Sequence, residues 1–177
     1  MSSTPPFSAT RILVTGGTFD KHYDAIKGEL TFKESHLPTI LAQSRVTAPV
    51  EIEVIQLIDS LHMTEAHRQQ IFSACRAAPE RALLVVHGTD TMRETARVVG
   101  AAGLPKSIVF TGAMVPFSVQ GSDALFNLGF AFAAAQLLPD GTYVAMNARV
   151  FGWADVEKNR AEGVFVQPPQ SAIEPSR

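Results

Sequence analysis

Residues 82–86 read Ala-Leu-Leu-Val-Val, apolar at every position. No other stretch constrains the fold as strongly. A half-exposed strand alternates apolar and polar residues, whereas a strand that is apolar throughout is covered on both faces. Residues 11–15, 51–57, 107–110 and 142–146 are further strand-like runs, and helical segments stand between them. The first helical segment, 37–43, is weak. The second follows Thr64 and sets Ile71, Phe72 and Cys75 on one face. The third, 91–102, opens with Thr91 and Glu94 at the spacing of a capping box. The fourth, 123–138, is apolar around most of its circumference and so is buried or lies at an interface. Shorter strand-like pieces follow near 149–153 and 164–167. Strands alternating with helices make βαβ units. The expected fold is therefore α/β, a three-layer α/β/α arrangement with a mainly parallel sheet. Within it, residues 1–10 are expected to form a flexible arm, 11–167 one α/β domain, and 168–177 a flexible Pro-rich tail.

Composition removes several functions. The 177 residues carry 17 acidic and 15 Lys or Arg side chains, a net charge of −2, so no basic excess exists to hold a phosphate backbone and nucleic acid is not expected as a partner. The longest charge-free apolar stretch, 124–139, contains Asn127, Gly129 and Gln136 and falls short of the roughly 20 residues of a spanning helix, so no membrane role is expected. The opening residues have no apolar core, so a signal peptide is not expected. A single cysteine, Cys75, cannot close an intramolecular disulfide, which suits a reducing, cytoplasmic location. The five histidines show no ligand-like spacing, and no metal or cofactor is expected. Only 18% of residues are charged, below the roughly 25% of ordinary soluble domains. Together with the apolar helix around Phe126, Leu128, Phe130 and Phe132, this points to a homo-oligomer, a dimer or tetramer.

In an open parallel sheet, ligands bind beyond the carboxyl ends of the strands. Small hydroxyls and acids gather there in this sequence: Thr15 and Thr18 after the first strand, Asp59 and Ser60 after the second, Thr89, Asp90 and Thr91 after the third, Thr111 after the fourth. Such residues also cap helices, so none is diagnostic alone. In Thr15-Gly16-Gly17-Thr18 the two glycines permit positive φ or a close approach of backbone to ligand. The pattern is not GxGxxG, which disfavours a dinucleotide.

Taken together, Thr15-Gly16-Gly17-Thr18 and His87-Gly88-Thr89-Asp90-Thr91-Met92 resemble the two signatures of the bacterial-type L-asparaginases, the threonine amidohydrolases that include glutaminase-asparaginases. Three more stretches are similar to that family: Asp59-Ser60-Leu61-His62-Met63-Thr64; Phe110-Thr111-Gly112-Ala113-Met114-Val115-Pro116 with Ser122-Asp123 and Phe126-Asn127-Leu128; and Tyr143-Val144-Ala145-Met146-Asn147 with Asp155-Val156-Glu157-Lys158. The resemblance implies hydrolysis of L-asparagine to L-aspartate and ammonia, without cofactor, on the fold of the family's N-terminal domain. It implies Thr18 as the nucleophile that forms an acyl-enzyme, assisted by Tyr23. It implies Thr89, Asp90 and Lys158 as a second set, with Lys158 the general base and Asp90 orienting the lysine and the substrate's amino group. Asp59, Ser60, Gly88, Thr89, Asp90 and Ala113 are the implied substrate contacts, and backbone N–H groups near Thr89 or Ala113 the oxyanion donors. The chemistry is coherent, because a threonine hydroxyl is a poor nucleophile until a base takes its proton. A lysine, whose free pKa is about 10.4, serves as that base only when its surroundings lower the value.

Family members commonly carry a second, C-terminal domain whose acidic residue meets the substrate's ammonium, and Leu61 stands where the secreted type usually has a glutamine. The sequence thus reads as a short, single-domain form, with an expected KM for asparagine on the order of 1 mM or above and glutamine a poorer substrate. Two other readings remain open. One is an ammonia-supplying component of a tRNA-dependent amidotransferase. The other is a non-catalytic module that senses the amino acid.

Overall fold

The computed structural model describes residues 9–169, so the proposed N-terminal arm and Pro-rich tail lie almost wholly outside the described residues. In chain order the elements are β1 (Thr10–Gly16), β2 (His22–Asp24), β3 (Glu29–Thr31), α1 (Leu37–Gln43), β4 (Val50–Ile58), α2 (Glu65–Ala77), β5 (Ala82–Val86), α3 (Met92–Gly100), β6 (Ser107–Thr111), α4 (Ala124–Leu137), β7 (Gly141–Met146), β8 (Arg149–Gly152), β9 (Glu157–Asn159) and β10 (Val164–Val166).

Six strands form one sheet in the order β4-β1-β5-β6-β7-β8. The first five run parallel, and β8 returns antiparallel against β7. The alternation within each strand sorts side chains to two cores, since successive residues of a strand point to opposite faces. Leu13, Leu83, Val85, Ile108 and Phe110 pack on one side with Ile71 and Cys75 of α2 and Met92, Ala96 and Val99 of α3. Ile12, Val14, Leu84, Val86 and Val109 pack on the other with Leu37 and Ile40 of α1 and Leu128, Ala131 and Ala135 of α4. All five residues of β5 are buried, as a strand apolar on both faces requires. The sheet lies between two helical layers, the expected α/β/α order.

Two hairpins stand apart from this sheet: β2–β3, directly after the first strand-end turn, and β9–β10 near the far edge. Neither is legible in the sequence as a pair, because three-residue strands are too short to show a period. The second is moored by Phe165, fully buried in the α2–α3 core, and by its N–H bond to Asn147 Oδ1 at 3.0 Å.

The capping box expected at Thr91 does not form. Thr91 precedes α3 without a side-chain cap bond. Its hydroxyl instead donates to the Ser60 carbonyl at 2.8 Å, linking the end of β5 to the turn after β4. Asp123 behaves in the same way before α4. Its carboxylate accepts from the N–H groups of Met114 and Val115, each at 3.0 Å, and from Asn127 Nδ2 at 2.9 Å. The loop after β6 is thereby fixed to the start of α4.

Candidate active site

Four strand-end turns converge where their glycines remove side chains that would collide. A Cβ on Gly17, whose φ is +82°, would fall 2.3 Å from the Cα of Gly88. One on Gly88 would fall 2.5 Å from Ser60 Oγ, and one on Gly112 would fall 2.3 Å from the His87 carbonyl oxygen. Real atoms do not approach so closely, so glycine is required at each place. The turns after β1, β4, β5 and β6 therefore pack tightly against one another, which brings together Thr18, Ser60, Thr89 and Ala113 despite their separation in sequence.

His87 steadies the β5 turn from below. Its ring is fully buried, with Nδ1 2.8 Å from the Gly88 carbonyl and Nε2 2.8 Å from Thr95 Oγ1. A carbonyl oxygen only accepts, so Nδ1 carries the proton and Nε2 accepts from the threonine hydroxyl. Burial in this apolar setting lowers the imidazole pKa to about 4, and the ring is neutral at physiological pH.

Above it, Lys158 reaches in from β9. Its ammonium donates to Thr89 Oγ1 and to Asp90 Oδ1, each at 2.8 Å. The lysine side chain is 15% exposed, so the contact is largely shielded. Asp90 Oδ1 also accepts from Arg160 Nη1 at 2.6 Å, while Oδ2 has no hydrogen-bond partner among the described residues. Desolvation raises the Asp90 pKa, but the two cations outweigh it and hold the carboxyl below its ordinary range. A cavity of about 180 Å³ opens here, lined by Thr89, Asp90, Arg93, Glu94, Lys158 and Arg160, among others.

Thr18 begins a 3₁₀ turn directly after Gly17, and its side chain makes no hydrogen bond to another described residue. The turn is anchored by the buried Asp20, which accepts from the His36 N–H at 2.8 Å and from the Ser35 hydroxyl at 3.1 Å. Tyr23 lies in the middle of β2, paired with Leu30 across the hairpin. Its side chain is 65% exposed and forms no hydrogen bond among the described residues, so the structure does not join it to Thr89, Asp90 or Lys158. Asp59 is already occupied, with Oδ2 accepting from Lys21 Nζ at 2.6 Å and Oδ1 from the Leu61 N–H at 3.0 Å. Ala113 is buried after β6. Neither its N–H nor that of Thr89 enters a hydrogen bond among the described residues, so both are free to serve as donors.

Two cations at the site escape a reading of the sequence, Lys21 and Arg160. The one signal for Arg160 is its nearness in sequence, two residues beyond Lys158. Lys21 offers none, because its partner is 38 residues away. Among the described residues no group of three or more His, Cys, Asp or Glu side chains is placed to hold a metal ion.

Comparison with known proteins adds the family. Residues 10–173 match the family model described as asparaginase, N-terminal. The chain is 30% identical over 146 residues to a glutamyl-tRNA(Gln) amidotransferase subunit of Thermofilum pendens, covering 77% of this chain and 32% of that protein. It is 28% identical over 160 residues to the glutaminase-asparaginase of Acinetobacter glutaminasificans, covering 83% and 48%. Among solved structures, the thermostable L-asparaginase from Thermococcus kodakarensis superposes with a TM-score of 0.81 at 25% identity, over 90% of this chain and 51% of that one. The chain thus spans about a third to a half of the length of the curated relatives it matches. With the fold and the sequence in agreement along nearly all of its length, this chain belongs to the asparaginase family, over the part that forms the family's N-terminal domain.

Proposed function

We propose that the chain hydrolyses L-asparagine to L-aspartate and ammonia through a threonine acyl-enzyme. The observation that carries this reading is Lys158 Nζ standing 2.8 Å from both Thr89 Oγ1 and Asp90 Oδ1, within reach of proton transfer. In the proposed sequence, Thr18 Oγ adds to the side-chain amide carbon, and Lys158, entering the step as the neutral amine, takes up the proton of the attacking group by way of Thr89 Oγ1. The proton is returned to the leaving nitrogen, ammonia departs and an ester remains. Water then adds to that ester and releases aspartate and the Thr18 hydroxyl. Thr89 and Ala113 N–H groups receive the developing oxyanion. The unpartnered Oδ2 of Asp90 receives the substrate's α-ammonium, and Ser60 helps hold its α-carboxylate. With Asp59 bound to Lys21, its part in holding the ammonium is reduced, which agrees with an expected KM at the weak end of the common range. No step calls on a cofactor. Tyr23 assists Thr18 in this reading by movement of the β2–β3 hairpin. Cytoplasmic residence belongs to the same proposal.

The likeness to amidotransferase subunits supports a second reading, in which the ammonia is made for a partner. Amide hydrolysis is common to both. A sensing module would bind the amino acid without needing a base. Ammonia release from L-asparagine by the purified chain tests the first reading directly. Thr18→Ala should abolish turnover with the fold intact, and Lys158→Met should lower kcat far more than it raises KM, since a base acts in the transition state. Binding without ammonia release would favour the sensor, and release only on addition of a partner would favour the amidotransferase role. A Thr18→Ala variant retaining more than about a tenth of the wild-type kcat would remove the threonine from its role.

A further inference from the structure

Lys158 and Arg160 both end on one oxygen, Asp90 Oδ1, at 2.8 Å and 2.6 Å. Arg160 makes a second contact, Nη2 donating to the Asp90 backbone carbonyl at 3.2 Å. The turn that presents it is encoded locally in Asn159-Arg160-Ala161-Glu162-Gly163. Asn159 Oδ1 accepts from the N–H groups of Ala161 and Glu162 at 3.1 Å and 3.3 Å, and Gly163 takes a φ of +66°. The Arg160 side chain is 63% exposed, and an ion pair so open to water contributes little to folding stability. Its bonds are better explained by what they do to Asp90. One fixes the carboxylate and the other the main chain of the same residue, so the anion that receives Lys158 has a single orientation.

We propose that Arg160 is a positioning residue for the Lys158–Thr89 pair, setting the Asp90 carboxylate and sharing with Lys158 the one oxygen that holds it. Two consequences follow. Because both nitrogens bond the same oxygen, a second positive charge stands inside the roughly 4–6 Å over which like charges disfavour one another. Lys158 also shares its anion with Arg160, so the place of each cation on Oδ1 is set by the other. The other charged groups around this cavity are Arg93 and Glu94 of α3 and Glu157 of β9, and substitution of Arg160 leaves them in place. The kinetic form of the proposal rests on Lys158 acting as the base; its structural form does not.

The test compares Arg160→Gln and Arg160→Lys with the wild-type chain. Steady-state kinetics on L-asparagine are measured across pH, and in parallel the pH at which the Lys158 amine is labelled by trace acetic anhydride is read by mass spectrometry. For Arg160→Gln we expect kcat to fall by about tenfold with a smaller change in KM. The acid limb of the rate profile and the labelling midpoint should both move measurably from their wild-type positions. The thermal midpoint should stay within about 2 °C. Arg160→Lys, which keeps a cation on Oδ1, should restore the acid limb and the labelling midpoint. Labelling and rate profiles of Arg160→Gln that coincide with the wild type would overturn the proposal, as would failure of the lysine variant to restore them. If the wild-type chain releases no ammonia, the hydrolase reading fails, and the labelling comparison still decides the role of Arg160.

Discussion

A methyl group is enough to prise this site apart, because Gly17 and Gly88 meet with no side chain between them. The same tightness explains His87. Its ring fills the space beneath the β5 turn and supplies one donor and one acceptor to groups that have no water to turn to. That service requires a neutral imidazole, which gives stability a definite pH dependence. The unfolded histidine takes a proton near its ordinary value of about 6.5, while the folded one resists until about 4. Between these limits the unfolded chain binds more protons, so stability is full above pH 6.5 and is lost as pH falls towards 4. The gap corresponds to about 3 kcal/mol. His36, whose pKa burial also lowers, adds in the same direction. Urea melts between pH 7 and 4.5 should show the decline, and His87→Gln, which keeps a donor and an acceptor, should flatten most of it. An unaltered slope in that variant would assign the effect elsewhere.

Elements of this chain are legible in proportion to their length and burial. The strand at 82–86 has the bounds read from sequence, because an unbroken apolar run marks a strand covered on both faces, and the weak helical segment at 37–43 also forms with the bounds expected. The strands β2, β3 and β9 escape, being three residues long and held by tertiary contacts. The Thr91 cap fails for a related reason, since a carbonyl from a turn 31 residues away competes for its hydroxyl. At the site, Thr89 and Asp90 stand out on strand-end grounds, whereas Lys158 is visible only through the resemblance to asparaginases. The hairpin joining β7 and β8 carries its own small conflict. Its two loop residues, Asn147 and Ala148, both have positive φ, 55° and 59°, the geometry of a type I′ turn. Asparagine tolerates that region and alanine does not, at a cost of roughly 1–2 kcal/mol. Ala148→Gly relieves the strain but frees the unfolded chain, so we expect a net gain of about 0.5–1 kcal/mol, read as a higher urea midpoint at constant m. A lower midpoint would mean that the turn is held by something other than local backbone preference.

At the scale of the whole molecule, α4 contains no Asp, Glu, Lys, Arg or His. Leu125, Phe126 and Leu137 are 50%, 62% and 78% exposed, with Gly129 and Ala133 between them on the same side. A helix apolar on its outer face as well as its inner one is poorly suited to water. We therefore expect the chain to associate with itself through this face, as a dimer or a higher assembly. Sedimentation at micromolar concentration should show at least twice the chain mass, and Phe126→Asp should return it to monomers. A wild-type chain that sediments as a monomer at that concentration would rule this association out.

The lysine that the proposed chemistry depends on is not carried by the six-stranded sheet. It rides on β9–β10, a two-stranded piece fastened by Phe165, by the buried Val156 just before it and by a few polar contacts, while Thr89 and Asp90 belong to the turn after the central strand β5. A paired hairpin with so little of its own to bury opens at lower cost than the body it leans on. Function would then melt in two stages, with the amine drifting off while the sheet still gives its full circular-dichroism signal. Hydrogen exchange would find the hairpin amides trading with solvent well before those of β5. Heat or urea would thus yield an intact but silent protein over an interval below the global transition, and cooling would bring activity back within the time the hairpin takes to close.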